Sequence, residues 1–551
     1  MSIDLQDLGD IKIPEYLNIA HACTSDEYKA TSHHPDNIAI IVDQHDDVQQ
    51  LSYRELASRS KQAANVFQAL GCQQGDRVML CLPNCMEFPL AFFGALTLGA
   101  IAVPSSMLLS GDELDYLAKD SGAKILVTTA DHWAKLDKLD SPSHQIESVI
   151  LVSEEALASN KASKTQLYNW QKLMATASDE IETCKTKAND PAYLVYTSGT
   201  TCYPKGVLHA HRALLGRVPA ARRWFDYDTN KIDRILHSGK FNWTYVLGTA
   251  LMDPLLLGKT VVVYEGKAEA EARGKIFLAE ADTWPKLIAK HQCSIFIGVP
   301  TLYRQIIQKT ETTKVEVPSL RYCMCAGEHL SDELYTAWKE RFGLTIYEAI
   351  GMSECSYYLS QHPTRPVKPG SAGLPQTGHS ISLLNEHLEP VADNEEGMLC
   401  IGLDDPGLFL GYWNLDDTTK ASRKGTFFLT GDYAYRDTDD YIWFLGRKDD
   451  LINSFGYRIS PHEIERVIKT YPAIADCVAL EECIGEDKNI VVACIILHQD
   501  TSFNEQALMD FAHDHLAKYK APKKFYLMDR FPRTANGKVL RKALRNTILN
   551  K

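Results

Sequence analysis

The sequence lacks the features that would place a chain of 551 residues in a membrane or a secretory pathway. Its most apolar long stretch, residues 88–104, is interrupted by Pro89, Gly94 and Gly99. It therefore falls short of a membrane span and predicts a buried helix that leads into a strand. The first ten residues, MSIDLQDLGD, have neither the basic nor the apolar region of a signal peptide. We therefore expect a cytoplasmic protein without an integral membrane segment.

An excess of positive charge and paired metal-binding cysteines are also missing. The formal net charge is −13, whereas a protein that binds duplex nucleic acid needs a positive face, so no nucleic-acid partner is expected. The fourteen cysteines form no Cys-x-x-Cys pair, and the nearest approach, Cys323-Met324-Cys325, has the wrong spacing. We interpret them as reduced thiols in the core of a cytosolic protein.

Length and patterning predict a globular α/β protein with more than one domain. A chain of this length is too long for a single core, and 45% hydrophobic with 23% charged residues is ordinary globular composition. Ser52 and Glu55 form a capping-box signature before a helix that runs to Leu70. Strand and helix patterns then alternate through residues 75–128, which predicts parallel sheets covered by helices. Further along the chain, a single helix is predicted over residues 209–224, and a strand, a turn and a capped helix are predicted near residues 453–465.

The stretch with the strongest chemical signal is Tyr196 to Gly206, YTSGTTCYPKG, which follows the apolar strand pattern AYLVY. It is not a Walker P-loop, because G-x-x-x-x-G-K-[ST] is absent. It still combines hydroxyl residues, glycines and Lys205, and these residue types bind a polyphosphate through close backbone N–H groups, hydroxyl donors and a counter-charge. A Ser/Thr/Gly surface loop is the alternative, and the closing Pro204-Lys205-Gly206 argues against it.

Further motifs follow in a fixed order along the chain. They are Ala326-Gly327-Glu328, YEAIGMSE at residues 347–354, LGYWN at 410–414, Thr430-Gly431-Asp432, GRKDD at 446–450 and PRTANGK at 532–538. Together with the phosphate loop they resemble the adenylate-forming superfamily of acyl-CoA synthetases, luciferases and peptide-synthetase adenylation domains. The pattern is most similar to benzoate-type and medium-chain acid–CoA ligases. One position departs from it, since Cys202 stands where the family usually has glycine.

The resemblance implies a set of ATP- and AMP-binding residues. These are Thr197, Ser198, Gly199, Thr200 and Thr201 for the phosphates, Gly327 and Glu328 in the adenine turn, Glu348 facing the adenine amino group, Ile350, Gly351, Met352 and Ser353 in the next motif, and Asp432 with Arg447 at the ribose.

The resemblance also implies three catalytic residues. Glu354 corresponds to the Mg²⁺ ligand, a hard oxygen donor that bridges the metal to the phosphates. Lys205 belongs to the phosphate loop, and Lys538 corresponds to the lysine that neutralises charge as the carboxylate attacks the α-phosphate.

The remaining implied residues concern the acid, the thiol and the hinge. The acyl pocket is predicted from Trp243, Thr244 and Tyr245 with Gly327 and Ile350, and it favours an aromatic or medium-chain acid. The coenzyme A site is predicted at Gly456, Tyr457 and Arg458, and the hinge at Asp449.

The resemblance thus predicts a large α/β domain of parallel-rich sheets covered by helices over residues 1–448, and a small mobile α+β lid over 449–551. The expected activity is an AMP-forming acid–CoA ligase of fatty acid metabolism that uses ATP, Mg²⁺ and coenzyme A. Two alternatives stay open: an adenylating enzyme that loads a carrier protein or oxidises its adenylate, and an inactive relative that acts as a binding protein, for which Cys202 is the only hint. The sequence leaves the oligomeric state open, with a homodimer as one candidate.

Overall fold

The computed structural model describes most of the chain. The described residues are 12–29, 33–44, 47–139, 142–152, 165–197, 204–228, 231–266, 281–327, 330–447, 450, 452–454, 457–485, 488–499, 501–516, 520–533 and 539–549.

These residues belong to two compact units. The first comprises Met1–Pro369, Pro375–Ser380 and Gly402–Thr426, and the second comprises Gly370–Leu374, Ile381–Ile401 and Phe427–Lys551. The second unit therefore begins upstream of residue 449. The predicted boundary between residues 448 and 449 marks the start of a mobile lid, whereas the two units are defined by compactness. The predicted boundary therefore stays a prediction.

The described strands are numbered in chain order. They are β1 Ile38–Gln44, β2 Asp47–Ser52, β3 Arg77–Cys81, β4 Ile101–Pro104, β5 Ile125–Thr128, β6 Ser148–Leu151, β7 Gln166–Asn169, β8 Pro191–Thr197, β9 Lys205–Ala210, β10 Arg234–His237, β11 Thr260–Tyr264, β12 Ile295–Gly298, β13 Tyr322–Ala326, β14 Ile346–Met352, β15 Ser356–Ser360, β16 Leu374–Pro375, β17 Ile381–Leu384, β18 Gly397–Gly402, β19 Gly411–Tyr412, β20 Arg423–Lys424, β21 Phe427–Arg436, β22 Ile442–Arg447, β23 Ile452–Ser454, β24 Tyr457–Ile459, β25 Ile474–Gly485, β26 Lys488–Leu497 and β27 Lys524–Leu527.

The described helices are mostly short. They are Ile19–Thr24, Tyr53–Ala69, Glu87–Thr97, Gly111–Ser121, Ala130–Asp137, Trp170–Thr176, Arg212–Gly216, Val218–Trp224, Thr244–Leu247, Asp253–Leu256, Thr283–Lys290, Pro300–Lys309, Asp332–Phe342, Asp416–Ala421, Pro461–Lys469, Glu505–His515 and Arg541–Leu549, with a π-helical turn at Gly248–Met252.

The first unit is built on two parallel-rich sheets. One contains the order β15-β14-β13-β12-β10-β11-β1-β2, and its pairs from β14 to β1 are all parallel. The other has the order β19-β9-β8-β4-β3-β5-β6-β7, parallel from β8 to β7. In open parallel sheets ligands bind beyond the carboxyl ends of the strands. The motifs at residues 327 and 347–354 lie at such ends, after β13 and along β14.

The apolar stretch that is too short for a membrane span forms the centre of this unit. Every residue from Phe88 to Thr97 is buried, and the helix shares one core with residues of both sheets, among them Val78 and Val261. The strand at Ile101–Pro104 follows, as predicted. No helix in the described part of the chain is both long and apolar enough to cross a membrane.

The predicted helix ends are confirmed at one site and wrong at another. Ser52 and Glu55 form the capping box before Tyr53–Ala69. The single helix predicted over residues 209–224 is wrong, because His209 and Ala210 end β9 and two short helices meet at Arg217. Arg217 makes a buried ion pair with Asp253, a constraint that local periodicity does not contain.

The second unit is an α+β module. Strands β17, β18 and β21 lie side by side, and β22 pairs with β21. A separate sheet has the order β25-β26-β27. The predicted strand, turn and capped helix near residues 453–465 are present as β23, β24 and Pro461–Lys469, with Ser460 accepting a hydrogen bond from the Glu463 N–H. The predicted fold class, parallel-rich sheets covered by helices plus a small α+β part, is confirmed.

Candidate active site

The predicted phosphate loop joins the two strands of a hairpin. Strands β8 and β9 pair antiparallel, with Thr197 opposite Lys205 and Tyr196 opposite Gly206. A Cβ on Gly206 would lie 2.9 Å from Leu194 Cδ1 and 3.0 Å from Trp413 Cβ, so the end of the hairpin is tightly packed. The loop residues Ser198, Gly199, Thr200, Thr201 and Cys202 lie outside the described residues.

Two of the predicted catalytic residues lie around a single tyrosine. The Tyr412 hydroxyl donates to Glu354 Oε1 over 2.7 Å, and Lys205 Nζ lies 5.5 Å from the centroid of the same ring. A cation within about 6 Å of an aromatic face is attracted by the ring quadrupole. The structure therefore brings together Lys205 and Glu354, which are 149 positions apart, through a residue that sequence reasoning assigned no role.

Backbone hydrogen bonds fix the position of Tyr412. Its strand β19 pairs with β9, so that Tyr412 lies opposite Val207. The Tyr412 N–H donates to Thr419 Oγ1 over 2.9 Å, and the Phe409 N–H donates to the Glu354 carbonyl over 2.8 Å. In the sequence, Tyr412 belongs to the LGYWN motif, which is informative only because it stands in order with the other motifs.

The YEAIGMSE motif turns sharply between β14 and β15. A Cβ on Gly351 would lie 2.1 Å from the Ser356 carbonyl oxygen, so this hairpin requires glycine. His209 Nε2 donates to the Ser353 carbonyl over 2.7 Å and ties the motif to β9. Burial lowers the pKa of His209 to about 3, which keeps the ring neutral.

The other residues of this motif differ in exposure. Glu348 is buried and its Oε1 accepts a hydrogen bond from the Leu330 N–H over 3.1 Å. Ile350, Met352 and Ser353 are half-buried. The predicted contacts of Glu348 and Ile350 with adenine stay predictions, and Glu328 lies outside the described residues.

Three residues predicted to bind the acid form one aromatic wall. Gly327 has φ +91°, and a Cβ there would lie 3.0 Å from Trp243 Cη2, so this close approach needs glycine. Trp243 meets Tyr245 edge-on with ring centroids 5.1 Å apart, and Tyr245 meets His237 at 5.1 Å. Exposure falls along this series, from half-exposed Trp243 to buried Tyr245 and His237.

Three buried polar atoms in or beside this wall have no hydrogen-bond partner among the described residues. They are His237 Nε2, Thr244 Oγ1 and the hydroxyl oxygen of Tyr245. His237 Nδ1 accepts the Gly239 N–H over 2.8 Å, and burial lowers the pKa of His237 to about 3, so the neutral ring carries its proton on Nε2. A buried, unpaired donor is costly, which is consistent with a partner that the free chain does not supply.

The predicted ribose residues face each other in the second unit. Asp432 lies opposite Arg447 in the antiparallel pair β21 and β22, and Asp432 Oδ1 is 3.8 Å from Arg447 Nε. The Asp432 N–H donates to Thr430 Oγ1 over 3.0 Å, and Gly431 has φ +77°. A carboxylate held after a tight turn suits the acceptance of two hydroxyl hydrogen bonds.

The remaining predicted residues are only partly described. Lys538, Asp449 and Gly456 lie outside the described residues, and of Tyr457 and Arg458 only the backbone in β24 is described. The ends of the Lys538 loop are described, since Arg533 and Val539 form a bridge and the Leu540 N–H donates to the Pro532 carbonyl over 2.8 Å.

A profile of the AMP-binding enzyme family matches residues 28–413, and a profile of the AMP-binding enzyme C-terminal domain matches residues 463–538. The first match alone spans more than half of the chain. The chain belongs to the AMP-binding enzyme family. The predicted membership of the adenylate-forming superfamily is thereby confirmed.

Named relatives of this AMP-binding enzyme are similar over nearly their whole length. Acyl-coenzyme A synthetase ACSM3, mitochondrial, of Rattus norvegicus is 30% identical over 550 residues, which are 97% of this chain and 91% of the relative. Among solved structures, the anthranilate CoA ligase AuaEII in complex with anthranoyl-AMP has a TM-score of 0.83 at 25% identity, with 98% of each chain covered. A benzoate CoA ligase from Burkholderia xenovorans LB400 has a TM-score of 0.80 at 25% identity, covering 96% of this chain and 99% of the other.

The residues of this AMP-binding enzyme fit a magnesium ion that arrives with a polyphosphate. Mg²⁺ is usually held by one or two carboxylates together with phosphate oxygens and waters. Glu354 is a half-exposed carboxylate with one oxygen bonded to Tyr412, which leaves Oε2 as a hard donor.

A second group of potential ligands lies close by in the sequence, at Cys355, His379 and Asp405. Asp405 already accepts hydrogen bonds from His379 Nδ1 at 2.9 Å, the Ser380 N–H at 3.1 Å and the Gly407 N–H at 2.7 Å. We therefore interpret this group as a structural network that anchors the segment before Phe409.

Proposed function

We propose that this AMP-binding enzyme is an AMP-forming carboxylic acid–CoA ligase that activates an aromatic or medium-chain acid. The predicted enzyme class, an ATP-dependent acid–thiol ligase, is confirmed by the family match and by the acyl-coenzyme A synthetase relatives. The identity of the acid is the finer part of the proposal.

The observation that carries the proposal is the arrangement of Lys205 and Glu354 around Tyr412. Attack of a carboxylate on the α-phosphorus of ATP requires a positive charge that binds the phosphates and a ligand that holds the metal. Both charges are present within one cluster, next to the loop that joins β8 and β9. An inactive binding protein has no need of this pair of charges.

The proposed reaction has two steps. In the first, the carboxylate attacks the α-phosphate of ATP, and pyrophosphate leaves. Lys205 would bind phosphate oxygens, and a magnesium ion bound by Glu354 would neutralise negative charge. Lys538 would stabilise the charge that develops at the α-phosphate. In the second step a thiol attacks the carbonyl of the acyl-AMP, and AMP leaves. Movement of the lid about Asp449 would separate the two steps.

The aromatic wall supports the proposed class of acid. Trp243, Tyr245 and Gly327 present ring edges and a bare backbone, which suit a flat ring or a chain of moderate length. The solved benzoate and anthranilate ligases act on flat acids, and the same class is proposed here. The buried N–H donor of His237 has no partner among the described residues. The substrate panel should therefore include ring-substituted acids that carry a hydrogen-bond acceptor.

Replacing Trp243 by alanine is expected to shift the preference toward longer acids. Removal of the indole opens the wall beside Gly327, so the ratio of kcat/KM for palmitate to that for octanoate should rise by about 10-fold or more, since a methylene in an apolar pocket is worth about 1–3 kcal/mol. The measurement is kcat/KM by pyrophosphate release for both acids. Trp443→Ala, which removes a half-buried tryptophan of the second unit, is the control. An unchanged ratio in the Trp243 variant would remove Trp243 from the acyl pocket.

The test of the proposed function is an acid panel assayed for pyrophosphate, AMP and thioester. Each acid is incubated with ATP and Mg²⁺ without an acceptor, with coenzyme A, and with a phosphopantetheinyl carrier protein. We expect AMP and acyl-CoA in equal amounts with an aromatic or medium-chain acid. Thioester formation only with the carrier protein would show that the carrier protein, and not coenzyme A, is the acceptor. No product with any acid would favour an inactive relative.

Cellular location and assembly remain proposals. A cytoplasmic location was expected from the sequence, whereas the named relatives are mitochondrial proteins. Fractionation of cells that express the protein would decide between the two, and a homodimer is testable by light scattering.

A further inference from the structure

We propose that Tyr412 is a positioning residue that holds Glu354 in place for the metal and keeps Lys205 apart from it. The inference rests on the proposed function, because it assigns Glu354 and Lys205 to the phosphate subsite. It goes beyond that function by giving a role to Tyr412, a residue to which the sequence motifs assign none.

Tyr412 orients the carboxylate of Glu354. The Tyr412 hydroxyl donates to Oε1 of Glu354 over 2.7 Å, which fixes the rotation of the carboxylate group. Oε2 is then the oxygen that remains for the metal. Outer partners of a ligating carboxylate commonly control both its orientation and its affinity for metal. Tyr412 is placed to act as such a partner.

Tyr412 also contacts two side chains of opposite charge. Lys205 Nζ lies 5.5 Å from the centroid of the Tyr412 ring, and among the ion pairs of the described residues none joins Lys205 to Glu354. The Tyr412 ring contacts the Lys205 ammonium group, and the Tyr412 hydroxyl binds the Glu354 carboxylate. The two charges are therefore not neutralised by each other, and each stays available for the nucleotide.

Contacts of its backbone and its ring hold Tyr412 in place. Its backbone is paired with Val207 of β9, and its ring meets Phe409 edge-on with centroids 4.9 Å apart. The Phe409 N–H donates in turn to the Glu354 carbonyl. Tyrosine and glutamate are thus connected through both main chain and side chain, so a shift of one displaces the other.

The first experiment uses Tyr412→Phe, which removes the hydroxyl and keeps the ring. We expect the Mg²⁺ concentration for half-maximal pyrophosphate release to rise by about 10- to 100-fold, the usual effect of losing a partner of a metal ligand. Binding of the Mn²⁺ complex of a non-hydrolysable ATP analogue, measured by calorimetry, should weaken by a similar factor without any turnover. Thioester formation from supplied acyl-AMP should be unchanged.

The matched control is Tyr526→Phe. It removes another tyrosine hydroxyl that donates to a carboxylate, Glu482, over 2.7 Å in the second unit. We expect wild-type Mg²⁺ dependence and wild-type binding of the analogue for this variant.

A double-mutant cycle with Glu354→Gln decides whether Tyr412 acts through Glu354. If it does, Tyr412→Phe should cost little more once Glu354 is already replaced. Additive losses, or a Tyr412→Phe variant that binds the Mn²⁺ complex as tightly as wild type does, would overturn the proposal. A wild-type protein that binds the complex but activates no acid would contradict the proposed function and leave the role of Tyr412 to be decided by the binding data.

Discussion

Replacing Lys538 by alanine is expected to slow acyl-adenylate formation by about 100- to 1,000-fold, the range measured for loss of one charge-stabilising donor in other enzymes. The reason is that negative charge grows on the α-phosphate oxygens as the carboxylate attacks. A positive group at that position acts on the transition state more strongly than on bound ATP. Thioester formation from supplied acyl-AMP should stay within about 3-fold of wild type, since that step attacks the carbonyl carbon rather than the α-phosphorus and the proposed lid movement would have withdrawn Lys538.

The described ends of the Lys538 loop support this assignment. The bridge between Arg533 and Val539 holds the two sides of the loop together, and Arg533 donates to Asp476 Oδ2 over 2.7 Å. The described residues on both sides of the loop are therefore held by hydrogen bonds within the second unit. This arrangement suits a lysine that must be delivered to a reacting atom.

The measurement is single-turnover kinetics of each half-reaction, run separately. Lys523→Ala, which removes an exposed lysine of the same unit, is the matched control and should leave both half-reactions unchanged. Equal losses in both half-reactions of the Lys538 variant would contradict a role confined to adenylation.

Replacing Asp253 by alanine is expected to destabilise the first unit by about 3–5 kcal/mol. Both side chains of the Arg217–Asp253 pair are 2% exposed, and Arg217 Nη2 donates to Asp253 Oδ1 over 2.9 Å. Burial lowers the pKa of Arg217, but the Asp253 carboxylate more than offsets this effect and holds the pKa above its ordinary value. Without the carboxylate, a buried guanidinium would have no counter-charge.

This ion pair also supports the nucleotide motif. The Tyr357 hydroxyl donates to Asp253 Oδ2, and Tyr357 lies opposite Gly351 in the hairpin of β14 and β15. Loss of Asp253 should therefore loosen the strand that carries residues 347–354. We expect a higher KM for ATP in addition to the lower free energy of unfolding.

The free energy of unfolding is measured by urea denaturation of the full chain. The double variant Arg217→Met with Asp253→Leu should recover at least half of the loss, because two apolar groups replace the buried charges. Asp282→Ala breaks an exposed pair with Lys286 and should cost less than about 1 kcal/mol. A loss of less than about 1 kcal/mol in the Asp253 variant would show that the buried pair does not stabilise the unit.

The sequence predicted the parts of the site that local patterns define. The phosphate loop is one continuous segment, which contains an apolar run up to Tyr196, the hydroxyl residues after it and Lys205 near its end. Its chemistry can therefore be read from adjacent residues alone. The glycine at 351 is visible for the same reason, and the structure shows why it is needed, since any Cβ there would overlap the Ser356 carbonyl. The buried helix at Glu87–Thr97 follows from composition alone.

The parts that escaped prediction depend on contacts between distant segments. Tyr412 reaches Glu354 because β19 joins the edge of β9, a pairing between residues about 200 positions apart. Arg217 and Asp253 are polar residues in apolar surroundings, and neither one alone indicates a buried pair. The same pair explains why the predicted helix over residues 209–224 is interrupted. Register and partner choice of this kind are set by the whole fold rather than by local periodicity.

The most direct test of the central claim follows oxygen from the acid into the products. The acid that the panel selects is labelled with ¹⁸O in both carboxylate oxygens and is converted with ATP and coenzyme A, and the products are analysed by mass spectrometry. An AMP-forming ligase makes a bond from the carboxylate oxygen to the α-phosphorus, so one label should appear in AMP and the other in the thioester carbonyl. Label in inorganic phosphate, or AMP without any label, would contradict the proposed acyl-adenylate.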